Sequence, residues 1–250
     1  MKTEYDRIAR EYQLSKLQPW RKYVEAYTFF ELAGDVRGKS VLDLACGEGF
    51  YTRQLKLRGA ATVEGVDISA GMIALARAAE DEHALGIRYH VQNVLDLRLD
   101  KRFDLITASY LLNYARTEAE LTAFARVIAS HLNPGGRFIT INSNPDYRAP
   151  AGTLRPYGFT REAESRQEGA EIRYRFYQED GSHIEVVNYH LEKATHEKAL
   201  KRAGFSEIQW HDLALSPEAG AAGDTDFWKP LLETLPVIGL TCKLPETAVD

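Results

Sequence analysis

Cysteine is nearly absent: Cys46 and Cys242 are the only two in 250 residues. A pair so far apart in the chain makes no disulfide framework, and neither belongs to a closely spaced Cys/His set of the kind that holds zinc. No metal is expected, and both thiols read as buried. Long apolar runs are missing as well; stretches such as 41–46 are far too short to span a bilayer. The chain opens on Lys2, Glu4, Asp6 and Arg7 rather than on an apolar signal segment, so a cytoplasmic location is expected, with no membrane partner. Positive charge is not in excess either. The net charge is -5 at pH 7 with both signs interspersed. A phosphate-binding footprint needs clustered Lys and Arg, so a nucleic-acid partner is disfavoured. What remains, 44% apolar and 27% charged residues, matches an ordinary globular chain long enough to bury a large core with room for an insert.

Residues 1–34 read as helical, from apolar and aromatic positions at Ile8, Tyr12, Val24, Tyr27 and Leu32, with a break near 17–19 at Pro19. From Ser40 the pattern alternates. Strands at 40–45, 62–66, 87–92, 103–108 and 137–141 are interleaved with helices at about 50–58, 71–82 and 118–131, and Asn133-Pro134-Gly135-Gly136 reads as a turn. This alternation predicts an α/β fold with a doubly wound, mostly parallel sheet and right-handed crossovers. Beyond Asn144 the character changes: 145–167 reads as a loop, and 172–177 and 183–189 as a β-hairpin turned at Glu179-Asp180-Gly181. A helix at 195–203 ends at Gly204, and 205–210 and 237–244 are two final strands, which brings the sheet to seven.

The first strand runs into Asp43-Leu44-Ala45-Cys46-Gly47-Glu48-Gly49. Glycines there let the backbone turn sharply and let a ligand approach the main chain. The second strand ends at Asp67, where nucleoside-binding doubly wound sheets place an acid on the ribose hydroxyls. The bland alternative is an Asp67 that merely caps the following helix. A dinucleotide fingerprint would carry a small residue at its third position, but Thr52 stands there. Asp43 and Glu48 would repel a pyrophosphate, whereas they suit a ligand carrying an ammonium and a sulfonium. S-adenosylmethionine is thus favoured over NAD.

These segments, with Val66-Asp67-Ile68-Ser69 and Met72, Phe103-Asp104-Leu105-Ile106 and Leu132-Asn133-Pro134-Gly135-Gly136, resemble the motifs of class I S-adenosylmethionine-dependent methyltransferases over roughly residues 38–142. A narrower resemblance is to azapteridine N-methyltransferases of the toxoflavin synthase type. It rests on Tyr5-Asp6, Ile8-Ala9, Asn113-Tyr114-Ala115, Phe227-Trp228 and Gly239-Leu240 to Cys242-Lys243. By position, the resemblance implies that Asp67 holds the ribose and that the backbone of Ala45 and Gly47 meets the methionyl end. It also implies that Asn93 and the Val94 backbone meet adenine, and that Ile68 and Met72 pack around it. Ser109 and Tyr110 would border the methionyl moiety. Tyr5, Tyr12 and Arg21 are candidates for a lid, Arg21 pairing with the cofactor carboxylate; ordinary helix packing and a solvated arginine are the alternative.

The implied reaction is methyl transfer to a small molecule, leaving S-adenosylhomocysteine. The acceptor is expected to be flat, heteroaromatic or apolar, with nitrogen favoured as nucleophile. An oxygen or carbon nucleophile, or a noncatalytic S-adenosylmethionine-binding subunit, is the alternative. No compelling general base presents itself; Tyr5, Tyr114 and His183 are the candidates for a catalytic role. Substrate contacts are expected from Tyr5, Asn113, Tyr114, Asn142, Tyr147, Phe176 and Trp228. The chain is read as one domain, a monomer or homodimer: helical lid 1–36, cofactor-binding core 37–142, substrate-cap insert 143–190, and C-terminal helix with last strands 191–250.

Overall fold

The structure, a computed structural model, describes residues 13, 16, 18–178, 180–221 and 225–246. A π-helical segment Arg21–Ala26 runs into helix α1, Tyr27–Ala33. Then come β1 Ser40–Leu44, α2 Phe50–Leu57, β2 Thr62–Asp67, α3 Ala70–Glu82, β3 Arg88–Val91, β4 Phe103–Thr107, α4 Glu118–Ser130 and β5 Leu132–Ser143. Three further strands follow, β6 Phe159–Ala163, β7 Glu171–Tyr177 and β8 His183–Tyr189. Helix α5 Lys193–Arg202, β9 Ser206–His211 and β10 Val237–Lys243 complete the main layers.

Seven strands form one sheet in the order β3-β2-β1-β4-β5-β10-β9. The first five run parallel, and β10 is antiparallel to both neighbours. Successive residues of the central strands point to opposite faces, so a strand buried on both sides must be apolar throughout. Val41, Leu105 and Ile139 face the N-terminal helices, α2 and α3. Leu42, Ile106 and Phe138 face α4 and α5. Local signals set the helix starts: Ser69 Oγ accepts from the Met72 N–H (3.1 Å) at α3, and Thr117 Oγ1 accepts from the Glu120 N–H (3.2 Å) at α4. The chain winds outward from β1 to β3 and then returns to β4 beside β1. That reversal opens a crevice beyond the carboxyl ends of β1 and β4.

The alternation seen in the sequence holds, with four corrections. The residues 133–136 read as a turn lie within β5, as an irregularity where pairing jumps from Phe103↔Leu132 to Leu105↔Arg137; the Gly135 N–H donates to the Leu244 carbonyl (2.9 Å). The stretch 145–167 read as loop contains β6, which pairs antiparallel with β7 and makes the hairpin a three-stranded sheet. Phe159 alone on β6 is fully buried, so period-two alternation was too weak to announce a strand. The short helices Pro217–Ala221 and Lys229–Thr234 carried no clear signal. The segment after Pro19 is π-helical before it becomes α-helical, and the first of the two expected N-terminal helices lies outside the described residues.

Candidate functional site

A cavity of about 380 Å³ occupies the crevice at the ends of β1, β2 and β4. Its floor is main chain. Ala45, Gly47 and Gly49 hold φ of 52°, 58° and 81°, and a Cβ on Gly49 would stand 2.5 Å from the Tyr89 hydroxyl, so the loop both needs glycine and presses against its support. Asp67 is fixed by two backbone donors, Gly47 N–H to Oδ2 and Ser69 N–H to Oδ1, each 2.8 Å. A carboxylate has about four acceptor positions and the geometry to take a pair of hydroxyls. Beside it Ile68 is 38% exposed, an apolar side chain left open at the cavity wall with Met72 and Val94 close by. Asn93 Oδ1 accepts from the Leu95 N–H (3.0 Å), and its remaining lone pair suits a second donor. Ser109 also lines the cavity, and its hydroxyl is buried with no partner. An acid for a diol, an apolar slot for a flat base and an orphaned hydroxyl toward the strand β4 end fit S-adenosylmethionine.

The acids of the glycine loop act differently from the sequence-based expectation. Asp43 is fully buried and accepts from the hydroxyls of Thr52 (2.6 Å) and Thr107 (2.7 Å), although it still borders the cavity. Burial pushes its carboxyl up to about 6, against the lowering effect of those two hydroxyls. Thr52, which stands where a dinucleotide site has a small residue, is thus the partner of Asp43. Glu48 is neutralised by Arg53 (2.9 Å) and Lys16 (3.4 Å), so its charge does not bear on the ligand as expected.

The inner wall comes from the π-helical segment. Arg21 forms a buried ion pair with Glu25 (3.0 Å), one helical step away. The carboxylate of Glu25 also receives the hydroxyls of Tyr51 (2.7 Å) and of Tyr110. Tyr110 adopts a left-handed backbone (φ 64°), a costly conformation for a bulky residue, of the kind held in place at functional sites. Burial, and then the charge of Glu25, raise its phenol well above the ordinary range, so Tyr110 remains a donor. Arg21, expected to meet a cofactor carboxylate, borders the cavity and pairs with Glu25.

Arg21, Tyr110 and Tyr114 also line a second, smaller cavity of about 20 Å³, little more than one water. Its other walls are Trp20, Phe159, Tyr174, Phe176 and Val186, with Asn188 and Val237 completing it. The Arg21 guanidinium lies 4.9 Å from the Trp20 ring and 5.0 Å from Phe176. Among the described residues lining this cavity the only charge is that of Arg21, already paired by Glu25.

Of the expected cofactor contacts, Arg21, Asp43, Ala45, Gly47, Asp67, Ile68, Met72, Asn93, Val94, Ser109 and Tyr110 all border the first cavity. Of the expected substrate contacts, Tyr114 and Phe176 border the second. Others do not reach it. Asn113 is buried below, accepting from the Ser143 N–H, and Asn142 is buried on β5. Tyr147 packs under Arg161 (4.7 Å), and Trp228 packs on Tyr157 and Tyr23. His183 is exposed at the hairpin end against Tyr177 and borders neither cavity. Tyr5 and Tyr12 lie outside the described residues. Sequence reasoning missed Glu25, Tyr51, Trp20 and Asn188. The i,i+4 spacing of Arg21 and Glu25 was the available signal for the first; the rest are joined only by tertiary packing.

Residues 41–136 match a family described as methyltransferase domain. Over 112 residues the chain is 36% identical to a ubiquinone biosynthesis O-methyltransferase of Coxiella burnetii, covering 44% of this chain and 46% of that protein. The chain therefore spans about half the length of these ubiquinone-biosynthesis relatives. It is 29% identical over 187 residues to the dTDP-3-amino-3,6-dideoxy-alpha-D-glucopyranose N,N-dimethyltransferase of Streptomyces fradiae, covering 68% of this chain and 71% of that one. The crystal structure of an S-adenosylmethionine-dependent methyltransferase from Clostridium acetobutylicum superposes with a TM-score of 0.67 at 20% identity, over 97% of this chain and all of that one. The fold is that of the class I S-adenosylmethionine-dependent methyltransferases.

Proposed function

We propose that this protein transfers a methyl group from S-adenosylmethionine to a small, uncharged, flat heteroaromatic molecule, most readily at a ring nitrogen. The observation that carries this reading is the pair of adjoining cavities sharing Arg21, Tyr110 and Tyr114. One has the acid and apolar slot of a nucleoside site; the other is aromatic and electrically neutral. The cofactor supplies an electrophilic methyl on a sulfonium. The chain's part is to hold the acceptor in line and exclude water, and orientation of this kind is worth about 7–11 kcal/mol. Trp20, Phe159 and Phe176 provide the stacking walls, and the Arg21–Glu25–Tyr110 network fixes the boundary between the two sites.

Two features bear on the acceptor. No Asp, Glu, His or Lys is found among the described residues lining the second cavity. A phenol must lose its proton to attack, whereas a ring nitrogen attacks with a lone pair already available, so nitrogen is favoured. This agrees with the resemblance to azapteridine N-methyltransferases. The one cation among the described lining residues, Arg21, is already held by Glu25, which disfavours phosphate-bearing acceptors such as the nucleotide sugar in the name of the Streptomyces relative, because a buried anion needs a cation of its own.

Calorimetric titration with S-adenosylhomocysteine, followed by a methyl-transfer screen over neutral flat heterocycles, phenols and nucleotide sugars, tests the reading. Micromolar binding with N-methylation of a heterocycle is the expected result. No binding overturns the cofactor assignment. Binding without turnover of any acceptor turns the reading toward a noncatalytic subunit, and O-methylation of a phenol overturns the choice of nitrogen.

A further inference from the structure

The inner face of the three-stranded sheet carries one residue out of keeping with its neighbours. Along β8 the inward positions are Ile184, Val186 and Asn188, and across from them on β7 stand Phe176, Tyr174 and Ile172. Period two calls for an apolar side chain at each of these. At Asn188 there is an amide instead, 4% exposed and lining the second cavity. Its Nδ2 donates to the Val187 carbonyl (3.2 Å), which uses one of its two protons. Its Oδ1 receives no hydrogen bond from the described residues. As Asn188 lines the cavity, that oxygen can accept from a molecule held there. The outward positions of the same strands show what the sheet does where no ligand is at stake. There Arg173, Arg175, Glu162 and Glu185 pair off fully at the surface.

On the methyl-transfer reading proposed above, we infer that Asn188 selects the acceptor by hydrogen-bonding a cyclic amide edge. The ring N–H donates to Oδ1, and the adjoining ring carbonyl accepts the second proton of Nδ2. An amide is self-complementary in this sense, offering one acceptor beside one donor in a plane. The aromatic walls of Trp20 and Phe176 hold the ring flat, and Asn188 sets its rotation within that plane. A site built to pair an N–H rejects an analogue lacking it, because the protein's own polar group is then left buried and unpaired.

The test uses the full chain saturated with S-adenosylhomocysteine, and two probes, pteridine-2,4-dione and its 1,3-dimethyl derivative, titrated by calorimetry. The wild type should bind the dione at least tenfold more tightly than the dimethyl compound. In Asn188→Leu the gap should close to less than threefold, chiefly through weaker binding of the dione. A gap that persists in Asn188→Leu reflects the bulk of the added methyl groups and overturns the inference. So does a wild type that binds the two probes equally, or binds neither. S-adenosylhomocysteine affinity is measured in both proteins: unchanged affinity shows that the variant is folded and that the cofactor reading stands even if the Asn188 inference falls. Failure of the wild type to bind S-adenosylhomocysteine brings down both.

Discussion

The two cavities are built by different means. The larger one is made of main chain: a glycine turn, the ends of two parallel strands and an acid locked by two backbone N–H groups. The smaller one is made of side chains brought from four separate stretches, near residues 20, 110, 159–188 and 237. The first is open at about 380 Å³ and the second nearly closed at about 20 Å³. A site made of backbone accepts the same ligand whatever its neighbours carry. A site made of side chains is retuned by single substitutions, and a flat acceptor must displace rings to enter it. The wall common to both, Arg21 with Glu25 and Tyr110, is where the two modes meet.

That wall offers the largest test. Glu25→Ala leaves the buried Arg21 charge without its carboxylate, and is expected to cost about 3–5 kcal/mol in urea unfolding. Replacing both partners, Arg21→Met with Glu25→Leu, should recover more than half of that loss, since the pair is replaced by apolar groups of similar size. No recovery would show that the wall depends on the tyrosine hydroxyls rather than on the ion pair.

A second test concerns the floor of the larger cavity. The carboxyl of Asp43 lies at about 6 in the folded protein, above its ordinary value of 3.8. Folding therefore takes up a proton between about pH 4 and pH 6. The stability linked to the protonated form is present below pH 4 and is lost as pH rises through 6. Asp43→Asn needs no proton and keeps both threonine partners. Its stability relative to the wild type should rise with pH across this window, by about 2–3 kcal/mol at pH 7, as read from unfolding curves at a series of pH values. A flat difference would mean that folding leaves the carboxyl of Asp43 at its ordinary value.

The third test is the smallest in energy and separates the cavities most cleanly. Asp67→Ala should weaken S-adenosylhomocysteine binding more than tenfold, about 1.4 kcal/mol. Near-normal affinity would remove Asp67 from the ribose.

The alternation of strands and helices, the sheet with its final strands and many of the described residues around the larger cavity were legible in the sequence, though Glu25 and Tyr51 were not. They depend on local rules: period two against period 3.6, glycine where φ must be positive, an acid at a strand end. Where an outcome depended on which segments meet, the sequence was silent or misleading. Asn113, Asn142, Tyr147 and Trp228 looked like pocket residues by type and neighbourhood, yet packing turned each of them elsewhere. β6 was hidden because an edge strand with one buried residue has almost no periodic signature. Asp43 looked like a charge aimed at the ligand, and only the register that brings Thr52 and Thr107 beside it made it a buried, hydrogen-bonded acid. By itself, then, the sequence determined the layered fold and where a nucleoside would lie, since both follow from contacts a few residues apart. Tertiary structure alone decided the second cavity, its neutrality and the inward amide of Asn188, because those exist only where strands and helices distant in sequence close on one another.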